Sequence, residues 1–223
     1  MKKYAAVVFD LDGTILNTLK DLQAAVNHTM SAMHCPPRTA EEVRAFAGNG
    51  IGKLVERSLP PERRDEETCA KALSVFCEYY ASHAADRTVP YPGVREMLER
   101  MRAGGLRLAV VSNKAEFAVR TLCDGFFPSL FGAVVGAREG VPKKPDPAGV
   151  LSALTALSVA PSEALYVGDS DVDAETARNA GMDCVLVAWG FRDRPLLEQM
   201  RPRLLAETAA AVADFALGGL EEK

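Results

Sequence analysis

A short apolar run, Tyr4-Ala5-Ala6-Val7-Val8-Phe9, passes directly into Asp10-Leu11-Asp12-Gly13-Thr14. The run reads as a short buried strand, and the acidic residues stand where that strand should end. In open α/β sheets, ligands bind in the crevice outside the carboxyl ends of the strands. Asp10 and Asp12, one residue apart, can therefore both reach one crevice. Gly13 permits a tight turn behind them. The Thr14 hydroxyl, a donor as well as an acceptor, can bind an anion.

The pattern changes after this motif. From Thr18 to about Ala85 the chain is helical in period and poor in strand signals. Leu19, Leu22, Ala25, Val26, Met30 and Met33 mark one apolar helix stripe, which Cys35-Pro36-Pro37 ends. Thr39-Ala40-Glu41-Glu42 reads as a capping box opening a short helix, and Gly48-Asn49-Gly50 breaks it. Further helices are expected over about 51–58 and 66–84. Strand signals then return at 106–111, 133–135, 164–167 and 184–188, separated by helical stretches. Strands alternating with helices predict a parallel sheet in a doubly wound, Rossmann-like α/β core. The helical block, inserted between the first and second strands, predicts a separate all-helical cap. The expected boundaries are 1–16 and 87–223 for the core and 17–86 for the cap.

Polar groups of complementary kinds stand where the core strands should end. They are Asp10 and Asp12 after the first strand and Ser112-Asn113 after the second. Gly168-Asp169-Ser170 follows the fourth, with Asp173 about one helical turn later. Lys144 lies in Lys143-Lys144-Pro145-Asp146-Pro147, ahead of a helix. Asp-x-Asp-Gly-Thr resembles motif I of the haloacid dehalogenase-like hydrolase superfamily. The other three groups are similar to its remaining motifs and come in the same order. The resemblance spans nearly the whole chain and points to the helical-cap subfamily.

The resemblance implies a phosphatase that uses Mg²⁺. A phosphate monoester is dianionic, so a carboxylate can approach it only after charge is neutralised. A hard divalent cation with carboxylate ligands supplies that neutralisation. Asp10 looks like the nucleophile that forms an aspartyl-phosphate, and Asp12 like the general acid and later base. The metal site would use Asp10, Asp169 and the Asp12 carbonyl, with Asp173 orienting that shell. Lys144 would add positive charge beside the nucleophile. Gly13, Thr14, Ser112, Asn113 and Lys144 would bind phosphate.

Phe46-Ala47-Gly48-Asn49-Gly50 followed by Leu54-Val55-Glu56-Arg57 is similar to the cap of bacterial phosphoglycolate phosphatases, as is Lys143-Lys144-Pro145-x-Pro147. Within this segment Arg44, Gly48, Asn49, Gly50 and Lys53 are the candidate substrate contacts. A glycine-rich turn at a helix start favours an anion, such as the carboxylate of a glycolate leaving group. One departure is Asn17-Thr18, where many relatives have aspartate and serine. Other small phosphorylated metabolites (pyrophosphate, nucleotides, sugar phosphates) are alternative substrates. A sugar phosphomutase would use the same aspartates, but mutases often carry Gly-Lys-Pro where this chain has Lys-Lys-Pro. A phospho-ligand sensor would bind and release no phosphate.

The net charge of −4 carries no basic footprint for nucleic acid. Apolar stretches are too short to span a membrane. Five scattered cysteines, without a Cys-x-x-Cys pair, predict reduced thiols and a cytoplasmic setting. The expected partner is a small phosphorylated metabolite, and both monomer and homodimer remain open.

Overall fold

The computed structural model describes residues 4–218. Residues 1–3 and 219–223, which the expected core boundaries include, lie outside the described residues. The elements run β1 (Ala6–Phe9), β2 (Leu16–Asn17), α1 (Leu19–Ala32), α2 (Ala40–Phe46), α3 (Ile51–Ser58), α4 (Glu66–His83), β3 (Val89–Pro90), α5 (Val94–Ala103), β4 (Arg107–Ala115), α6 (Glu116–Phe126), β5 (Ala133–Ala137), α7 (Ala148–Leu157), β6 (Ala164–Gly168), α8 (Asp171–Asn179), β7 (Asp183–Val187), α9 (Arg194–Gln199), β8 (Leu204–Ala206) and α10 (Ala209–Ala216). By contact density the chain divides into two compact units, Met1–Leu16 with Pro90–Lys223, and Asn17–Val89.

The first unit is built on a six-stranded sheet in the order β5-β4-β1-β6-β7-β8, with every pairing parallel. The order reverses at β1, which has β4 on one side and β6 on the other. That is the switch point where an α/β sheet opens a crevice. Phe9 pairs with Val110 and with Val167, so the residues that follow them on the three strands stand level and are delivered to one place. Both sheet faces are covered. Val7, Phe9, Leu108, Val110, Leu165 and Val167 pack with residues of α5, α6 and α10. Ala6, Val8, Ala109, Val111, Ala164 and Tyr166 pack on the other face with α7 and α8. Successive strand residues point to opposite faces, so a strand buried on both sides reads as an unbroken apolar run. This is why 6–9 and 164–167 show no polar alternation.

Several features depart from the sequence expectation, among them the short strands β2 and β3. The strand expected to end at Val111 continues to Ala115, with a register shift against β5 between Val111 and Ala115. Helix α8, which carries Asp173, starts two residues before it at Asp171 and is capped by Ser170. Helix α9 and strand β8 were not foreseen. They are six and three residues long, too short to show a period.

The second unit holds four α-helices and a single 3₁₀ turn at Pro61–Arg63. Thr39 and Glu42 form the expected capping box at the start of α2. Asp21 in α1 is buried and accepts hydrogen bonds from the backbone amides of Arg87 and Thr88 and from the Thr88 hydroxyl, at 2.7–3.0 Å. One carboxylate thus holds the end of this unit against its beginning. Among the described residues, no helix is long and apolar enough to cross a membrane.

Candidate active site

The loop after β1 is a tight turn. The Leu11 carbonyl accepts from the amides of Thr14, Ile15 and Leu16, and the Gly13 amide donates to the Leu16 carbonyl. Gly13 takes φ +87°, in the left-handed region, and a Cβ there would stand 2.4 Å from Asp169 Oδ2. Glycine is therefore required twice over, by backbone conformation and by close approach. The Trp189 indole N–H donates to the Thr14 carbonyl at 3.1 Å and fixes the far side of the turn.

Lys144 is the electrostatic centre of the site. Its Nζ lies 2.8 Å from Asp10 Oδ1 and 2.8 Å from Asp173 Oδ1, and it donates to the Tyr166 hydroxyl at 3.2 Å. Tyr166 in turn donates to Asp173 Oδ1 at 3.0 Å. Asp173 Oδ2 accepts from the Ser170 hydroxyl at 2.6 Å and from the Asp169 amide at 3.2 Å. Asp169 accepts from the Thr14 hydroxyl at 3.1 Å and from the Phe191 amide at 2.7 Å. Asp10, Asp169 and Asp173 are all buried, with one carboxylate oxygen from each within 4.8 Å of the others.

The charges do not balance internally. Burial pushes Asp10 up to about 8, against the pull of Lys144 and with the help of Asp173 and Asp169. Burial, reinforced by Asp173, raises Asp169 to about 7. Burial works against ionised Asp173 as well, but Lys144 and the Ser170 and Tyr166 hydroxyls hold it below the ordinary carboxylate range. Burial also opposes the charge on Lys144, and Asp10 and Asp173 outweigh it, raising the ammonium well above its usual value. Three buried carboxylates facing one ammonium form a hard, oxygen-only donor set short of positive charge. That is the chemistry a divalent cation such as Mg²⁺ satisfies, and the residues fit it.

Two residues expected to bind phosphate make hydrogen bonds within the protein. Thr14, expected to bind an anion, gives its hydroxyl to Asp169. Asn113, expected on phosphate, donates from Nδ2 to the Lys144 carbonyl at 3.1 Å and accepts from the Lys144 amide at 2.8 Å. Its side chain pins the backbone that carries the lysine. Ser112 lies buried at the same strand end, its hydroxyl accepting from the Lys114 amide at 3.2 Å. Asp12 is paired with Lys114, whose Nζ is 3.0 and 3.3 Å from its two carboxylate oxygens.

Sequence reasoning missed Lys114, Tyr166 and Gly190. Lys114 stands two residues beyond Ser112, so extending the strand would have set both on one face. Tyr166 reads in the sequence only as one residue of a strand, and nothing around it marks its hydroxyl. Gly190 is a matter of space: a Cβ there would lie 2.2 Å from the Asp169 Cβ. Gly190→Ala must displace Asp169, and we expect affinity for a divalent cation to fall by about tenfold or more. Titration of the variant with Mg²⁺ by calorimetry checks this, and an unchanged affinity would separate Asp169 from the metal.

In the helical unit, Gly48, Asn49 and Gly50 form the turn between α2 and α3, with Gly50 as the N-cap of α3 at φ +85°. Arg57 Nη1 donates to Asn49 Oδ1 and to the Phe46 carbonyl, both at 2.9 Å, and so shapes this turn. Lys53, expected to add positive charge, is exposed and paired with Glu56 at 2.7 Å. Arg44 lies in the last turn of α2.

Comparison with known proteins gives a consistent family. The family described as haloacid dehalogenase-like hydrolase matches residues 7–187. A phosphoglycolate phosphatase of Pseudomonas putida is 35% identical over 92% of this chain and 77% of its own length. One from Psychrobacter arcticus is 31% identical over 95% of both chains. A crystal structure from Lactobacillus delbrueckii, provisionally assigned the same activity, superposes with a TM-score of 0.92 at 33% identity, covering 97% of this chain and 99% of that one.

Proposed function

We propose that this chain, which belongs to the haloacid dehalogenase-like hydrolase family, is a Mg²⁺-dependent phosphatase that hydrolyses 2-phosphoglycolate through an aspartyl-phosphate. The observation that carries the reading is the meeting of Asp10, Lys144, Asp169 and Asp173 at the carboxyl ends of the central strands, with an ammonium 2.8 Å from the proposed nucleophile and Asp12 two residues further along the same loop. The substrate follows the relatives named above, all of them phosphoglycolate phosphatases by name or provisional assignment.

Asp10 attacks phosphorus and takes the phosphoryl group, while the ester oxygen leaves with a proton from Asp12. Asp12, now a carboxylate, removes a proton from water, which attacks the same phosphorus. Inorganic phosphate departs and Asp10 is regenerated. Lys144 offsets charge on the phosphoryl oxygens as they approach Asp10, and Ser112 donates to one of them. Asn113 and Thr14 act one step back, holding the Lys144 backbone and the Asp169 carboxylate. Asp10, Asp169 and the Asp12 carbonyl would hold Mg²⁺, with Asp173 beside them; the ion neutralises the phosphate and polarises its oxygens. The helical unit serves as a cap that excludes water during phosphoryl transfer. Its Gly48-Asn49-Gly50 turn, with Arg44 and Lys53, reads the leaving group. The five cysteines are all free, which supports a reducing, cytoplasmic setting.

The test is phosphate release with Mg²⁺ from a panel of phosphate esters and pyrophosphate. A kcat/KM at least about tenfold higher for 2-phosphoglycolate supports the reading; each tenfold step is about 1.4 kcal/mol of transition-state discrimination. Comparable turnover of many esters reduces it to a general phosphatase. Metal dependence has an independent readout. At about 100 times its Kd, Mg²⁺ should stabilise the fold by about 2.7 kcal/mol. For a chain of this size that raises Tm by roughly 5–10 °C. Asp169→Asn should remove most of that rise, and a full rise in the variant would place the cation elsewhere.

A further inference from the structure

Lys114 lies at the carboxyl end of β4, and its side chain is 3% exposed. Its ammonium reaches 102 residues back in sequence to both carboxylate oxygens of Asp12, at 3.0 and 3.3 Å. The Asp12 side chain is itself 20% exposed. Burying an ammonium against a carboxylate that water still reaches is a poor source of stability, because desolvation of the lysine offsets much of the attraction. The arrangement does something else well. Two contacts to one ammonium fix the torsion of a short carboxylate that would otherwise rotate.

The strand end is built for this. The register of β4 against β5 shifts between Val111 and Ala115, and Ser112, Asn113 and Lys114 are all buried within that stretch. Irregularities of this kind re-aim side chains beside functional sites. Here Asn113 takes hold of the Lys144 backbone and Lys114 takes hold of Asp12. One strand end therefore sets both the charge centre and the second aspartate.

We propose that Lys114 is a positioning residue for phosphoryl transfer, gripping one oxygen of the Asp12 carboxyl group so that the other, which carries the proton when the ester binds, faces the leaving oxygen. This rests on the acid role assigned to Asp12 above. Lys114 acts through Asp12, so its value depends on how much the leaving group needs a proton. An alkoxide such as glycolate needs one, whereas 4-nitrophenolate leaves without help.

The experiment compares kcat/KM, which reports the steps up to loss of the leaving group, for 2-phosphoglycolate and 4-nitrophenyl phosphate. Lys114→Met, an unbranched apolar replacement, is measured alone and combined with Asp12→Ala, with thermal melts to establish folding. Lys114→Met should lower kcat/KM for 2-phosphoglycolate about thirtyfold, within the range of general acid catalysis, and that for 4-nitrophenyl phosphate less than about threefold. In the Asp12→Ala background the same substitution should change neither by more than about twofold. Lys114→Arg, which keeps the charge but presents a planar fork, should recover part of the loss and covers the case where the methionine variant does not fold.

Equal losses on both esters, or an undiminished loss in the Asp12→Ala background, would overturn the inference while leaving Asp12 as the acid. If Asp12→Ala alone lowers both esters equally, the acid role of Asp12 fails first and the inference falls with it. The two failures therefore give different patterns.

Discussion

Asp10→Asn should abolish turnover, lowering kcat on the order of 10⁴-fold or more, and yet make the metal-free protein more stable. The loss of activity follows from replacing the carboxylate proposed as nucleophile with an amide. The gain in stability follows from burial. Asp10 has its proton affinity raised from 3.8 to about 8 in the folded chain. Between about pH 4 and pH 8 the metal-free folded state therefore holds a proton that the unfolded chain has released. Stability rises with pH only where the unfolded state binds more protons. Here the folded state binds more, so the Asp10 contribution to stability falls as pH rises through that window and stays low above it. Asparagine carries no such proton and removes the cost. Melts in a chelator should show a higher Tm for Asp10→Asn than for the parent chain, by more at pH 8 than at pH 5. A lower Tm at pH 8 would mean that the pair with Lys144 outweighs burial.

Lys144→Met should act in the opposite sense. Its ammonium meets Asp10, Asp173 and Tyr166 in a buried cluster. Without it Asp173, and above about pH 8 Asp10 as well, stays buried as a carboxylate that has lost its counter-charge. Removing one partner of a buried pair costs about 3–5 kcal/mol, which for a chain of this size lowers Tm by roughly 10 °C. Loss of positive charge at the phosphoryl group should cut kcat/KM by on the order of 10²–10³-fold. Mg²⁺ should bind more tightly, because the site has become more negative. Combining Lys144→Met with Asp173→Asn should return part of the stability and none of the activity. Urea denaturation with and without Mg²⁺ separates these terms. A Lys144→Met chain as stable as its parent would show that the lysine is not the counter-charge it is taken to be.

Much of the core was legible because its signals are local and ordered. An apolar run followed by acids marks where a buried strand stops, whatever lies elsewhere. Asp10, Asp12 and Asp169 were picked out in this way, Asp173 by its place one helical turn later, Lys144 by the order of the motifs, and the capping box of Thr39 and Glu42 by its own local pattern. What was not legible is which way a polar side chain turns. Thr14 and Asn113 have the donors to bind a phosphate, and nothing in the sequence says that Asp169 and the Lys144 backbone claim them first. Lys114 was hidden by a strand assigned to end at Val111, since a residue placed in a loop has no face. The charge of Lys53 was legible, and its pairing with Glu56 one helical turn away was not. Gly190 carries no sequence signal, because its role is the volume left for Asp169.

The clasp at Asp21 makes residues 17–89 a cassette. The chain enters and leaves this block beside one carboxylate that bonds to Arg87 and Thr88. Its two ends are therefore near neighbours, tied from within by the block itself. A block of this kind can be lifted out, exchanged for another or expressed alone without asking the remaining sheet to close a gap. Asp21→Ala would loosen that tie and turn a bounded insert into an ordinary long loop.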